Sequence, residues 1–414
     1  MHARVKEAFI LLRRAYFLLL ISLPLLTIAE RYIPFLGAFT SAAFVIVSPL
    51  TLVSNKRKIA ILVEYAVAGA LLWLNWKNIA DVDYHLDIVK CTLVLISVSH
   101  QCADREFKRE LLVFIRRHMR YIETQLILVA LVNLAVIPFS YGYSNKYSAM
   151  WEISAFQGIY IDPHQASYRL FISAALLFTL SVCRKRLGLL GRQSRLVYSV
   201  LALAVLLLVV RTGARVALVL APLLFLFTMR NLLPRVKLES GGASVAVSAA
   251  LGALILLAAG ALIFAFFRSS VGEKTIAAFS GKSFDNGRSI IRSISLATYA
   301  SWNAWKKIFG GGHDIVHQLT LSRMYFSLWA HNDYLQMLMG AGLLGLGQYL
   351  VDTIRMLRQF FRARWVGALT FAALVFTAWF NGLMPHVLFV STLPILCGAL
   401  EAFDGYDLRE VRHG

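Results

Sequence analysis

The chain has 414 residues, of which 58% are hydrophobic, and a mean hydropathy of +0.66. A soluble globular chain is roughly 45–50% apolar, so this composition excludes one and points to a polytopic membrane protein. Lys and Arg outnumber Asp and Glu by 42 to 22, a net charge of +20. The charges stand in short clusters between apolar runs, which is the positive-inside pattern of membrane proteins rather than a nucleic-acid footprint. Cys91, Cys102, Cys183 and Cys397 fall in apolar runs or beside basic loops, so no disulfide framework is indicated.

A helix needs roughly 20 mainly apolar residues to cross a bilayer. On that measure twelve spans are expected, near 14–30, 34–53, 59–76, 86–101, 121–139, 166–183, 196–211, 214–229, 243–267, 332–352, 365–381 and 386–403. The first follows Arg13 and Arg14 and reads as a retained span, because many segments of equal length follow it. The fourth is the weakest, being short and carrying Lys90, the one candidate for a charge buried mid-span. The seventh and eighth, separated only by Arg211–Arg215, form a tight helical hairpin. Five basic clusters (56–58, 105–120, 184–195, 230–237 and 355–364) fall on alternate loops, which puts those loops and both termini in the cytoplasm. Trp73, Trp76, Trp329, Trp365 and Trp379 near span ends suit an interfacial aromatic belt.

Two sizeable loops then face outward from a single integral membrane domain, 1–414. One, 140–165, is rich in Tyr, Ser and Trp and reads as a short structured cap. The other, 268–330, is the main element outside the membrane. Within it Ile291, Ile294, Thr298, Trp302 and Trp305 recur at helical spacing, predicting one amphipathic helix near 286–307 that ends at Gly310-Gly311-Gly312.

Immediately after that loop, His331, Asn332 and Asp333 give way to an unbroken apolar run punctuated by Gly340, Gly342 and Gly345. The transition places an imidazole at the mouth of a membrane helix. The glycines thin that helix so that another helix or a lipid chain can approach its backbone. Arginines also stand on the outward face, where positive charge should be scarce. Arg211 and Arg215 are four apart at the hairpin tip, and a helical turn would put them on one face. Arg288 and Arg292 are four apart at the start of the loop helix, where free backbone N–H groups add to the attraction for an anion. Guanidinium forks match phosphate oxygens two at a time, so these pairs point to a phosphorylated ligand. Pairing with Glu273, Asp285 or Asp314, or with lipid headgroups, is the alternative. A histidine beside such a phosphate can deprotonate an attacking hydroxyl or simply orient it; the residues leave both open.

Asp81, Asp83, His85 and Asp87 form an acidic cluster whose carboxylates are close enough for a divalent cation, with a solvated loop as the other reading. His313 and His317 lack a third ligand near them in sequence, so zinc is not expected. No phosphate loop of the Walker type and no Ser or Cys nucleophile motif is present, so the chain shows no sign of using ATP as a cofactor.

Together these features resemble the O-antigen ligase family, within the ligase–polymerase group of membrane glycosyltransferases. The family pattern of His, then Asn, Ser or Gln, nine residues, Gly, two residues and Gly fits His331-Asn332 through Gly342 to Gly345 without a gap. An Arg opening an apolar helix corresponds to Arg215, with Val219 where the family has Leu, and Gly287-Arg288 with Trp302 corresponds to a second element. The resemblance implies an all-α, GT-C-like fold of about twelve spans in the bacterial inner membrane, with the active site facing the periplasm. It implies transfer of polysaccharide from undecaprenyl pyrophosphate to lipid A–core oligosaccharide in lipopolysaccharide biosynthesis. That reaction is inverting and metal-independent. His331 would activate or position the acceptor hydroxyl, and Arg215 and Arg288 would hold the pyrophosphate. Arg211 and Arg292 join them on spacing alone, and Asn332, Gly342 and Gly345 support the histidine. The expected partners are both lipid-linked substrates and membrane lipids, with no nucleic acid. An O-antigen polymerase or a protein O-oligosaccharyltransferase would be a neighbouring activity. A lipid-linked oligosaccharide flippase is the alternative of another class, and would favour charges buried within spans and an internal repeat.

Overall fold

In the computed structural model the described residues are 2–29, 32–33, 35–139, 141–142, 155–160, 162–183, 192–232, 288–325, 328, 330–358, 371–380 and 393–399, with single positions 253, 260, 268, 369 and 382. Most of the expected ninth span, the loop residues 269–287, and Trp329 and Trp365 lie outside them. So do most of the 140–165 loop and most of the last two spans.

Helices follow in the order α1 (His2–Ala29), α2 (Phe35–Ile46), α3 (Ser48–Thr51), α4 (Asn55–Asn75), α5 (Val82–Ala103), α6 (Arg105–Arg117), α7 (Met119–Ala135), α8 (Pro163–Cys183), α9 (Arg192–Arg211), α10 (Arg215–Leu232), α11 (Arg288–Ser301), α12 (Ala304–Phe309), α13 (Ile315–Met324) and α14 (Asp333–Leu357). Ala372–Thr377 and Leu393–Cys397 wind as π-helical turns. Five of the described helices are long and apolar enough to cross a membrane: 7–26 within α1, 55–78 around α4, α5, α8 and α14. The protein is an all-α membrane protein. The four cysteines are buried and form no disulfide.

The chain divides into two units, residues 1–129 with 287–414, and residues 130–286. In the second, α8 is buried along nearly its whole length and packs on α9 and α10. A short ladder pairs Tyr141 with Phe156 and Gly142 with Ala155.

In the first unit, α5 is the central helix, packed against α2, α4 and α14. It was the weakest expected span, being short and carrying Lys90, and it also holds Ser97, Ser99, His100 and Gln101. All four are buried, so these polar groups face protein rather than lipid. Lys90, by contrast, is partly exposed and pairs with Asp87.

Three expectations are corrected here. The expected second span is interrupted at Val47, before Pro49, and forms two helices. The basic stretch after Ala103 is a helix, not a loop. Asp104 caps α6 by accepting from the backbone N–H groups of Glu106 and Phe107 at 3.2 Å. Phe107, Leu111 and Ile115, four apart, then form the buried face of α6. Asp104 also accepts from Val53 and Ser54 N–H at 2.9 and 3.1 Å, fixing the entry to α4. Lastly, Arg355 is not a loop residue but lies in the last turn of α14, inside an ion network with Glu64 and Asp352. Lys90 is therefore not the lone charge within the apolar helices.

Candidate functional site

The mouth of α14 is built by three consecutive residues. Asn332 takes an extended backbone (φ −156°) and its Oδ1 accepts from Leu335 N–H at 2.9 Å, capping the helix. Asp333 occupies the first helical position, where a carboxylate suits the helix dipole. It is buried and accepts from the Tyr349 hydroxyl at 3.2 Å. His331, half-buried, precedes the cap with φ of 50°. Left-handed backbone at a residue other than glycine costs on the order of 1–3 kcal/mol and concentrates at functional sites. Asn332 is thus a structural cap, and the imidazole is held at a fixed, strained exit.

The loop helix expected over 286–307 is two helices. α11 ends at Ser301, and Asn303 starts α12 by accepting from Lys306 N–H at 2.9 Å. Ile291 of α11, Val316 of α13, and Ala330, Leu335 and Met339 form one buried cluster, with Trp302 and Tyr299 packed on it. Arg288 lies one turn before Ile291 and Arg292 one residue after it, both half-buried. His331 adjoins Ala330. One small core therefore carries both the arginine helix and the histidine, and the helical spacing expected for Arg288 and Arg292 is realised on α11.

The glycines serve a different contact from the one expected. At Gly342 (φ 68°, ψ −160°) α14 is kinked, roughly 14 Å along the helix from its mouth. The segment Gly310–Gly312 docks at that break. Gly311 and Gly312 N–H donate to the carbonyls of Met339 and Gly340 at 2.9 and 3.0 Å. A Cβ on Gly342 would collide with the Ile308 carbonyl, one on Gly310 with the Gly340 carbonyl, and one on Gly340 with the His313 ring. Gly345 packs on Ala341 and Met337 of its own helix. What approaches the backbone is the segment Ile308–Gly312 of the same chain.

That loop is also pinned from the side. Asp314 Oδ2 accepts from the N–H groups of Ala80 and Asp81 at 2.7 and 3.0 Å and from Gln318 Nε2 at 2.7 Å. It is therefore committed to the α4–α5 turn rather than to a loop arginine. Glu273 and Asp285 lie outside the described residues. Asn75 Nδ2 donates to the Phe309 carbonyl at 2.9 Å, and His313 N–H donates to His85 Nδ1 at 2.9 Å. His317 stacks on Tyr84 with ring centroids 3.8 Å apart. Asp81 caps α5, accepting from Tyr84 N–H at 3.0 Å. Among the described residues no group of three or more His, Cys, Asp or Glu is arranged to hold a metal ion. Asp81, His85, His313 and His317 instead fasten the loop, a role with no signature in the sequence because the partners are more than 200 residues apart.

Burial pushes the His313 imidazole down to about 3, with His85 adding to the effect. An unfolded histidine binds its proton near 6.5, so the docked loop is fully stable above that pH. Stability is lost as pH falls, by about 3 kcal/mol at pH 4.5. Unfolding midpoints at pH 7.5 and 4.5 should show that loss, and His313→Gln should shrink it; equal acid sensitivity in both proteins would place the titration elsewhere.

In the second unit, Arg211 is the last residue of α9 and Arg215 the first of α10. Between them the chain leaves the helix: Gly213 has φ of 66°, and the Thr212 hydroxyl donates to the Val209 carbonyl at 2.7 Å. No helical turn joins the two arginines, so their shared face is not realised. Arg215 keeps its expected position, opening an apolar helix. No known protein-family model matches the chain, and neither does any curated protein.

Proposed function

We propose that the chain is a membrane glycosyltransferase of the O-antigen ligase kind. In this reading it has twelve spans in a GT-C-like arrangement, lies in the bacterial inner membrane with both termini cytoplasmic, and presents the mouth of α14 to the periplasm. The observation that carries the reading is the strained histidine at that mouth, sharing a small core with a helix that begins Arg288 and continues to Arg292.

The chemistry asks little of the protein beyond placement and charge. A sugar diphosphate already carries its leaving group, so the acceptor hydroxyl oxygen bonds to the anomeric carbon as the carbon–oxygen bond to the pyrophosphate breaks. The configuration inverts, the proton passes toward His331, and undecaprenyl pyrophosphate leaves with the bond's electron pair. Arg288 stabilises the charge that develops on it. Both substrates have membrane-buried tails, which suits a site at a span mouth.

The test is incubation of the purified protein with lipid-linked glycan and either lipid A–core or glycan alone. Extension of lipid A–core supports a ligase, and extension of glycan alone a polymerase. Transfer should persist in excess EDTA; loss on chelation and return with a divalent cation would overturn the metal-free mechanism. Arg288→Lys keeps the charge but loses the fork, so a large fall in transfer is expected. Arg292→Lys should be milder. Equal, negligible effects at both positions would put α11 outside the site.

A second reading, a lipid-linked oligosaccharide flippase, is favoured by one observation: Glu64, Asp352 and Arg355 are largely buried within apolar helices. Covalent product in the transfer assay decides against it. Translocation of a labelled lipid-linked glycan with no product would decide for it.

A further inference from the structure

The loop that hydropathy places outside the membrane comes back down to it at α12, and two contacts set its depth. α4 runs from Asn55 to Asn75, about 30 Å at 1.5 Å per residue, which is the thickness of a bilayer's hydrocarbon core. From Ile59 to Leu74 every exposed residue of α4 is apolar, as a lipid-facing side requires. With Lys56, Arg57 and Lys58 at one boundary of the core, Asn75 stands at the other. Asn75 Nδ2 donates to the Phe309 carbonyl at 2.9 Å, so the last residue of α12 stands at that boundary too. The second contact agrees with the first. Gly311 and Gly312 N–H meet the carbonyls of Met339 and Gly340, about 10 Å along α14 from Asp333. The loop therefore descends beside α14 instead of staying level with its mouth.

The surface that α12 shows at this depth is apolar with a basic fringe. Trp305, Ile308 and Phe309 recur at i, i+3 and i+4 and share one helix face. Trp305 is 62% exposed and Ile308 39%, and the Trp305 ring lies 4.2 Å from that of Phe309 between centroids. Trp73 and Trp76, 79% and 47% exposed, close α4 at the same level. Lys77 is exposed, Lys306 and Lys307 are half-buried, and no Asp or Glu occurs in 71–79 or 302–313. Lys306 Nζ sits 4.8 Å from the Trp302 ring centroid. Large apolar side chains, tryptophans and lysines without counter-charges are what the edge of a bilayer takes up: rings enter among the headgroups while ammonium groups reach the phosphates.

We infer that α12 is an interfacial lipid anchor. Trp305 and Ile308 enter the acyl–headgroup boundary of the phospholipid leaflet beside Trp73 and Trp76, with Lys77, Lys306 and Lys307 at the level of the lipid phosphates. The leaflet is the occupant because this patch continues the lipid-facing side of α4 at the depth where that side ends. Through Gly310–Gly312 the anchor holds the kink of α14, and with it the small core that carries α11 and Ala330, at a set height above the lipid. The inference rests on α4 crossing the membrane and is independent of the glycosyltransferase reading.

The experiment is electron paramagnetic resonance of the full chain in nanodiscs of phosphatidylcholine and phosphatidylglycerol. A single spin label is placed at Ile308→Cys and, in separate proteins, at Trp305→Cys, Trp73→Cys and Val67→Cys. The four native cysteines are buried, so the added thiol takes the label. Power saturation compares collisions with oxygen, which concentrates in hydrocarbon, and with a water-soluble nickel chelate. The label at Ile308→Cys should lose most of the nickel collisions that free label shows in buffer and keep its oxygen collisions. Its depth should match that at Trp73→Cys and be shallower than that at Val67→Cys. Trp305→Cys gives the same reading if Ile308→Cys fails to fold. Labels at both positions as open to nickel as free label would put α12 in water and overturn the anchor. Labels shielded from both reagents would put a protein surface there, a partner or a second copy, and overturn it equally.

Discussion

Replacing His331 with Ala is expected to lower glycan transfer by about 10² to 10⁴-fold, the range of a general-base contribution, while binding of the lipid-linked donor persists. Donor binding should survive because the arginines, not the imidazole, are assigned to the pyrophosphate. The backbone adds a refinement. His331 stands at φ of 50°, where Ala is strained but Gly is not. His331→Gly therefore deletes the imidazole without backbone cost, and equal losses in the Gly and Ala variants would assign the effect to the side chain. His331→Gln can accept a hydrogen bond but takes no proton at neutral pH. Substantial activity in that variant would favour orientation of the hydroxyl over its deprotonation. Wild-type transfer by His331→Ala would end the site assignment and leave an interfacial histidine above a helix cap.

Gly342→Ala should be the most damaging single change to the fold of the site. Its backbone (φ 68°, ψ −160°) lies in a region essentially reserved for glycine, with a cost on the order of 1–3 kcal/mol for other residues. The new Cβ would also meet the Ile308 carbonyl and Gly310 nitrogen, both backbone atoms that cannot swing away. A total loss of about 3 kcal/mol or more is expected. It should appear as a lower unfolding midpoint and faster proteolysis within 288–330. Gly347→Ala is the control: it lies on the same helix, and a Cβ there meets nothing within 4 Å. That change should be neutral or stabilise the helix by about 0.5–1 kcal/mol. Similar behaviour of the two variants would mean the loop does not dock at the kink.

Hydropathy alone located most of the helices, because a membrane-crossing helix satisfies its own backbone and needs only about 20 apolar residues in a row. Nine of the expected spans, from 14–30 through 214–229 together with 332–352, fall on described helices, the second of them interrupted at Val47. The same local logic marked His331, Asn332 and the glycines after them, since a polar-to-apolar transition and a cap are properties of adjacent residues. The arginine pairs show where that logic ends. Spacing of four places Arg288 and Arg292 on one helix face, but it says nothing of whether a helix is there, and between Arg211 and Arg215 Gly213 breaks it. Only the tertiary structure decided what the glycines of α14 receive, because the answer is a carbonyl ladder with Gly311 and Gly312, some 30 residues upstream. It alone showed Asp81, His85, His313 and His317 as loop fastenings. It also moved Arg355 from a basic loop into a buried network with Glu64, His100 and Asp352. Charge clusters along a chain report which side of a membrane a segment favours. Which charges neutralise one another depends on contacts across as many as 291 residues, and no linear pattern encodes those distances.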